Sequence, residues 1–479
     1  MTEPPVPRRG DELVLELPHA VHRVLESLLA QGEEAALVGG GVRDAVRGGR
    51  PTDWDVATSA PPETVTGLFP HSTWENRFGT VTVLPDRDGE PAVEVTTYRI
   101  EGAYRDRRRP ESVRWGSSLA DDLARRDFPI NAIAWVPLDL ATGRGRLVDP
   151  HDGEGDLRRG LLRAVGDPVA RIAEDALRMV RAMRFATRFG LHIDEATAAA
   201  IRRNAAAAAS LSGERLNDEL RRILSGQEPP SRAFALMEEL DLLAVVLPEL
   251  AALRGIPQAK ALPGDALDHS LRTMDALPPA DPVLRLAGLL HDLGKATTQA
   301  DGHFIGHERA GAEIAARVLR RLRASRADSA RIVGLVRHHM FAYSPDWTDA
   351  AVRRFVRRVG ADLLEDLYAL RRADNAASGV REPATGGTAE LRERAARAVA
   401  GDPLGPGQLA VDGHDLVREL EIEPGPEVGR LLAGLMEAVL DDPGLNRREA
   451  LLALARRQRE ADAGARVQRE DEGSQAARG

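Results

Sequence analysis

Cysteine is missing from this chain of 479 residues. Disulfides and thiolate metal sites are therefore excluded, and any bound metal must rest on aspartate, glutamate or histidine. Lysine is nearly missing too: of 65 basic residues only Lys260 and Lys295 are lysines, so almost all positive charge sits on guanidinium groups. No run of about 18 apolar residues occurs, and the N-terminus MTEPPVPRRGDELVLELP has no apolar stretch of signal-peptide length; together these predict no membrane span and a cytoplasmic setting. The net charge of −9 argues against a general nucleic-acid coat protein. Arginine nevertheless gathers locally, in Arg105-Asp106-Arg107-Arg108-Arg109, in Arg125-Arg126, and along Arg171, Arg178, Arg181, Arg184 and Arg188.

What is present is enough for several cores, with 43% hydrophobic residues spread over a length that suggests three or four domains. Residues 35–165 hold short β-like runs (AALV, DWDVAT, TVTVLP, AVEVTTYR, INAIAWVPL) between Gly/Pro turns and short helical pieces, an α/β texture. From Asp167 the apolar spacing becomes helical, with Asp167-Pro168 as N-cap and first-turn pair and Gly190 after the last turn. Residues 265–378 are again helical and contain six of the twelve histidines; 380–405 read as a linker. The resulting division is 18–165 head, 166–250 helical neck, 265–378 histidine-bearing helical domain, 406–458 small helical unit, and 459–479 charged disordered tail.

In the head, AALV runs into Gly39-Gly40-Gly41, where unhindered backbone can approach phosphate oxygens ahead of a short helix carrying Arg43 and Asp44. If Asp53-Trp54-Asp55-Val56-Ala57-Thr58 is one strand, its two carboxylates share a face about 6.6 Å apart. Such a pair suits Mg²⁺, and two ions about 4 Å apart stabilise the attacking and leaving oxygens of nucleotidyl transfer. Glu94, in AVEVTTYR, is a candidate third acidic ligand. In RRDFPINA, Arg125 and Arg126 suit a triphosphate because guanidinium groups bind phosphate oxygens bidentately, and Asp127 and Asn131 add ribose-sized polar contacts. In EDALR, Asp175 and Arg178 stand three apart on an expected helix, an acceptor beside a donor. That pairing matches cytosine and adenine, each of which shows an amino donor beside an unprotonated ring nitrogen. Arg181 joins the nucleotide-binding set.

LVGGGVRD…DWD, RRDFPINA and EDALRMVRAMRF together resemble the bacterial class II tRNA nucleotidyltransferases of the DNA polymerase beta superfamily, and the likeness runs from about residue 18 to 458. The resemblance implies an α+β protein, with an N-terminal α/β nucleotidyltransferase head followed by an all-α neck, body and tail. It implies stepwise, template-independent addition of C, C and A to the tRNA 3′ end from CTP and ATP. By position, Asp53 and Asp55 would bind the catalytic metals, Gly39, Gly40 and Arg43 would lie at the triphosphate, Arg126, Asp127 and Asn131 at sugar and phosphates, and Asp175 and Arg178 at the base edge. Pro129 stands where the family usually has threonine. A poly(A) polymerase and a partial enzyme adding CC or A alone share these head motifs. In the family, a flexible segment between the strand at Arg99 and RRDFPINA helps the pocket change from CTP to ATP; here it corresponds to the arginine-rich stretch Tyr104 to Trp115.

The histidine-rich region carries separate chemistry. His269, then His291-Asp292 in LLHDLGK, then Asp374 give an H…HD…D order that resembles HD-domain metal phosphohydrolases. Imidazole plus carboxylate suits a divalent transition metal that lowers the pKa of bound water, and Lys295 supplies a compact ammonium. His303, His307, His338 and His339 are candidates for a second metal or for phosphate binding. The resemblance implies hydrolysis of 2′,3′-cyclic or 2′ phosphates; an HD fold kept only as scaffold, or an HD phosphohydrolase with a head that merely binds RNA, remain the other readings. The oligomeric state is left open.

Overall fold

A computed structural model of the chain describes residues 8–9, 11–74, 79–101, 113–115, 118–258, 260–300, 303–380 and 387–461. The chain divides into two compact units after Ala252, with Arg321–Arg323 joining the first.

The first unit is built on a nine-stranded sheet. Its strands are β1 (Arg8–Arg9), β2 (Glu12–Val14), β3 (Ala35–Val38), β4 (Asp55–Thr58), β5 (Ser72–Thr73), β6 (Thr80–Val83), β7 (Val93–Thr97), β10 (Ala134–Asp139) and β11 (Arg144–Val148), in the order β1-β2-β11-β10-β3-β4-β7-β6-β5. A separate ribbon pairs β8 (Arg99–Glu101) with β9 (Val113–Trp115). Residues 102–112, which include most of the expected mobile stretch, lie outside the described residues. The continuous apolar run of β3 follows from burial on both faces: Ala35 and Leu37 enter one core with Val56 and Trp135, while Ala36 and Val38 enter another with Ala57 and Leu123. β3 and β4 are antiparallel, whereas β4 and β7 run parallel with Asp55 opposite Glu94. That register places the two acidic residues side by side at the starts of two interior strands.

Two boundaries differ from the sequence reading. The strand expected over 53–58 begins at Asp55, leaving Asp53 just ahead of it. The strand expected to start near Ile130 begins at Ala134, because Pro129–Asn131 form a 3₁₀ turn that proline favours at its first position. The helices of this unit that matter for the site are α1 (Gly40–Val46), α2 (Leu119–Ala124), α3 (Pro168–Glu174), α4 (Leu177–Phe189) and α5 (Gly213–Leu224). Asp167 caps α3 through Ala170 N, and Gly190 ends α4 at φ 68°, both as its residue type requires.

The second unit is helical among its described residues, with α6 (Ala266–Asp275), α7 (Pro282–Leu290), α8 (His307–Arg321), α9 (Arg326–His338) and α10 (Leu364–Ala377). Further along, Leu416, Leu435, Met436, Val439 and Leu451 form a core of their own. A last helix covers 448–461, so the first residues of the expected tail are helical, and 462–479 lie outside the described residues. Among the described residues no helix is long and apolar enough to cross a membrane.

Candidate functional site

A cleft of about 1820 Å³ in the first unit is lined by Gly39, Gly40, Arg43, Asp53, Asp55, Glu94, Arg125, Arg126, Asp127, Asn131, Asp175, Arg178 and Arg181. Its floor is the edge where β3 gives way to α1. Gly39 has φ 77°, and a Cβ there would stand 2.9 Å from Asp55 Oδ2 and 3.3 Å from Arg126 Nη1; glycine is required by conformation and by space. At Gly41 a Cβ would meet Asp53 O at 2.4 Å, so the same glycine run holds the first aspartate's backbone against the helix.

The acidic side of the cleft is Asp53, Asp55 and Glu94. Burial first, then the neighbouring charge of Glu94, pushes the Asp55 carboxyl up to about 6. A carboxylate made reluctant to ionise beside two others is the electrostatic sign of a cation-binding position, and the donor set is all oxygen, which suits Mg²⁺.

Opposite lies the basic side. Arg43 Nη1 donates to Asn131 Oδ1 at 2.6 Å, Asn131 Nδ2 donates to Asp127 Oδ1 at 3.1 Å, and Arg181 Nε donates to Asp127 Oδ2 at 2.7 Å. Burial raises the Asp127 carboxyl, but Arg181 and the Asn131 hydrogen bond overcome it and hold the group below the usual carboxylate range. Asp122, at 1% exposure, was not singled out in the sequence, yet it holds both arginines of RRDF. Arg125 Nε donates to its Oδ1 at 2.9 Å and Arg126 Nη2 to its Oδ2 at 3.1 Å. The i,i+3 and i,i+4 spacing was the signal that could have found it. Phe185 and Phe189 stack at 6.0 Å between ring centroids, and Arg43, Arg47 and Arg188 lie over the Phe189 ring, a further feature the sequence reading missed.

Asp175 and Arg178 line the cleft, but not as neighbours on one continuous helix. The helix stops at Glu174 and restarts at Leu177, because Asp175 is extended and its Oδ1 takes the Leu177 N–H at 3.0 Å. Asp175 Oδ2 accepts from Arg215 Nη2 at 2.6 Å, and Arg178 is held by Glu174, by Arg171 O and by Arg125 O. Three hydrogen bonds thus fix a guanidinium that has five N–H groups. Arg215, on α5, is a cleft residue that no local motif announces.

The second unit gathers the histidines. His269 comes from α6, His291 and Asp292 follow α7, His307 opens α8, His339 ends α9, and Asp374 lies on α10. His269 Nε2 is 3.0 Å from Asp374 Oδ1 and 3.3 Å from His291 Nε2. Asp292 Oδ2 is 3.2 Å from His291 Nε2, while its Oδ1 is 3.4 Å from His307 Nε2 and 3.7 Å from His339 Nε2. The glycine of LLHDLGK explains how His307 reaches this point: a Cβ on Gly294 would lie 2.0 Å from His307 O. His303 is exposed and His338 lies outside the groups whose donor atoms converge.

These residues fit a divalent ion. His291, His307 and His339 each bond through Nδ1, at 2.7 Å, to the carbonyl three residues earlier. A carbonyl only accepts, so Nδ1 carries the proton and each Nε2 lone pair faces the carboxylates. His269, His291 and Asp374 offer donor atoms within 4.8 Å of one another, as do His291, Asp292 and His339. Burial pushes His269 down to about 4, keeping it neutral and able to ligate near pH 7. The nitrogen and oxygen donors suit a divalent transition metal.

The mixed sheet, with carboxylates at the ends of its central strands facing an arginine-lined helix, defines a nucleotidyltransferase of the polymerase type. Residues 35–163 match the poly(A) polymerase head domain, 190–253 the probable RNA- and SrmB-binding site of polymerase A, and 266–378 the HD domain. The A-adding tRNA nucleotidyltransferase of Deinococcus radiodurans is 36% identical over 422 residues, which is 84% of this chain and 91% of that protein. The CCA-adding enzyme of Geobacillus kaustophilus is 42% identical over 230 residues, 48% of this chain and 54% of its own, so the chain spans about half the length of the CCA-adding relatives it matches. Among solved structures, the CCA-adding enzyme of Bacillus stearothermophilus in complex with CTP is 28% identical with a TM-score of 0.67, covering 93% of this chain and 98% of that one. The chain belongs to the family of tRNA nucleotidyltransferases that carry a poly(A) polymerase head, and it is an enzyme.

Proposed function

We propose that the head adds C, C and A in turn to the tRNA 3′ end from CTP and ATP. The observation that carries this reading is the single cleft in which Asp53, Asp55 and Glu94 face the arginines of RRDF and the Asp175/Arg178 pair. The RNA 3′-hydroxyl oxygen bonds to the α-phosphorus as the bond to the pyrophosphate oxygen breaks. Asp53 and Asp55 would hold Mg²⁺, which would supply positive charge to the phosphoryl chemistry. Arg43, Arg125 and Arg126 hold the triphosphate, with Arg126 fixed by Asp122 and by Asn131 O. Asp175 keeps lone pairs for an exocyclic amino group and Arg178 keeps N–H groups for a ring nitrogen, which favours C and A over U and G by about 1–3 kcal/mol for each good pair. A-addition alone is a second reading, favoured by the long match to the Deinococcus radiodurans A-adding enzyme. Incubation with tRNA lacking its 3′ end, given CTP, ATP or both, followed by sequencing of the products, separates the two. CCA from the double supply supports the full reaction, and A only on tRNA already ending in CC overturns it.

The HD cluster is read as a metal-dependent phosphohydrolase acting on 2′,3′-cyclic or 2′ phosphates, with His269, His291, Asp292 and Asp374 as the ligand set and Lys295 beside the substrate.

Two further results are expected of the head. Because the Asp55 carboxyl is raised to about 6, it is protonated below that pH and must give up the proton to bind a cation. At limiting Mg²⁺ the addition rate therefore falls as pH drops through about 6, and excess Mg²⁺ shifts the fall to lower pH. A rate profile identical at both Mg²⁺ levels would count against Asp55 as a ligand. Asp122→Asn removes the charge that aims Arg125 and Arg126, and a charge-assisted hydrogen bond contributes about 1.5 kcal/mol or more. The KM for both nucleotides should rise about tenfold with a smaller change in kcat; an unchanged KM would show that these arginines do not hold the nucleotide.

A further inference from the structure

The chain's two lysines both end at the histidine–aspartate cluster. Lys295 belongs to it by sequence and places Nζ 2.6 Å from Asp292 Oδ2. Lys260 arrives from the segment ahead of residue 266, where the HD-domain match begins. That segment is pinned by a bridge between Pro257 and Asp265, and Asp265 in turn caps α6, the helix of His269. It sends two side chains inward. Gln258 Oε1 accepts from Lys295 Nζ at 3.1 Å, and Lys260 Nζ lies 2.8 Å from His269 Nε2 and 3.4 Å from Asp374 Oδ1.

His269 Nε2 and Asp374 Oδ1 belong to one of the two groups able to hold an ion. The Nε2 lone pair serves one cation at a time, so an ammonium and a divalent metal cannot both take it. Lysine is the cation that can compete there and then withdraw, being a compact point charge on a flexible four-carbon stem; a guanidinium, this chain's ordinary cation, is a planar fork that does not fit an ion-sized position. Charge leads to the second half of the argument. Within the cluster the two carboxylates Asp292 and Asp374 are paired with the ammonium groups of Lys260 and Lys295 and, at Asp374 Oδ2, with the Arg371 guanidinium at 3.1 Å, while Glu308 lies 3.9 Å from His307. A divalent ion entering this set leaves an excess of positive charge, which a phosphate dianion satisfies.

We propose that Lys260 is a built-in competitor for the HD ion position: it engages His269 and Asp374 until a divalent ion takes them, and its displaced ammonium then binds the phosphate group of the substrate. This rests on the phosphohydrolase reading of the cluster. Lys260 is thereby a specificity-determining residue supplied from outside the HD module.

The test uses the full chain carrying Asp53→Ala and Asp55→Ala, which removes the head's own ion position, with and without Lys260→Met, similar in length and uncharged, in two calorimetric titrations: Mn²⁺ alone, then inorganic phosphate with Mn²⁺ saturating. Removing a competing charge at this range should tighten Mn²⁺ by about tenfold, and removing the anion partner should weaken phosphate by about tenfold. Opposite signs from one substitution are the signature, since a packing defect weakens both ligands. Lys260→Gln provides a second uncharged variant, with a cooperative melt required of each. Mn²⁺ and phosphate affinities that both fall, or that both stay at the parent's value, overturn the role of Lys260 and leave the metal site standing. Absence of Mn²⁺ binding by this head-silenced parent and its Lys260 variants alike overturns the phosphohydrolase reading as well.

Discussion

Asp53→Ala and Asp55→Ala are each expected to abolish nucleotide addition, by about a thousandfold or more, because a metal-bound charge cluster contributes several kcal/mol to the transition state and each 1.36 kcal/mol is a factor of ten. Binding of tRNA should persist, since cation ligation serves the phosphoryl chemistry more than RNA affinity. The two substitutions differ in what else they disturb. Asp53 is exposed and lies ahead of β4, so its loss leaves the sheet intact. Asp55 opens β4 beside Glu94, with its carboxyl pushed up to about 6, so alanine relieves a half-buried charge and should leave stability unchanged or slightly raised. The measurement is single-turnover addition of one C to a 3′-truncated tRNA, with filter binding of the RNA in parallel. Near wild-type addition by the double variant would remove these residues from the chemistry.

The parts of the head that could be read from the sequence are those whose chemistry is local. The strand, glycine run and short helix at 35–46 are adjacent in the chain, and the two aspartates follow within a few residues, so spacing alone brings them together. Glu94 was reachable because the pattern of β7 is strand-like, although its register against Asp55 is set by a parallel pairing that no local rule specifies. Asp175 shows the limit of helical spacing. Its short side chain competes for the Leu177 N–H, breaks the helix that the apolar pattern predicts, and turns toward Arg215, which is forty residues away in the chain. In the HD cluster the order H…HD…D was visible, but only folding brings His307, through the close approach at Gly294, and His339 to Asp292 in place of His303 and His338. The rarity of lysine drew attention to Lys295. The same rarity applied to Lys260, whose position next to no motif hid it until the loop before α6 was seen to enter the cluster.

His291→Ala combined with Asp292→Ala should remove both divalent-metal binding by the second unit and hydrolysis of 2′,3′-cyclic and 2′ phosphates, while leaving CCA synthesis largely intact. Asp292 is the hub: its two oxygens face His269 and His291 on one side and His307 and His339 on the other, and these imidazoles and their hydrogen bonds, working against burial, hold its carboxyl well below the usual range. His291 is shared by both groups of ion-capable donors and its loss disrupts both at once, whereas Asp292→Ala alone leaves the group of His269, His291 and Asp374 complete. The substitution also leaves the Lys295 ammonium buried without its 2.6 Å partner, a change that typically costs about 3–5 kcal/mol when one side of a buried pair is deleted. Activity and melting temperature must therefore be read together. His291→Ala alone keeps the Lys295 pair and separates ligand loss from charge burial. If the single variant melts as wild type does and still loses metal binding and hydrolysis, the site is catalytic. If wild-type protein hydrolyses neither phosphate class with Mg²⁺, Mn²⁺, Ni²⁺ or Co²⁺, the histidines serve as scaffold, and the nucleotidyltransferase head is the enzyme's working site.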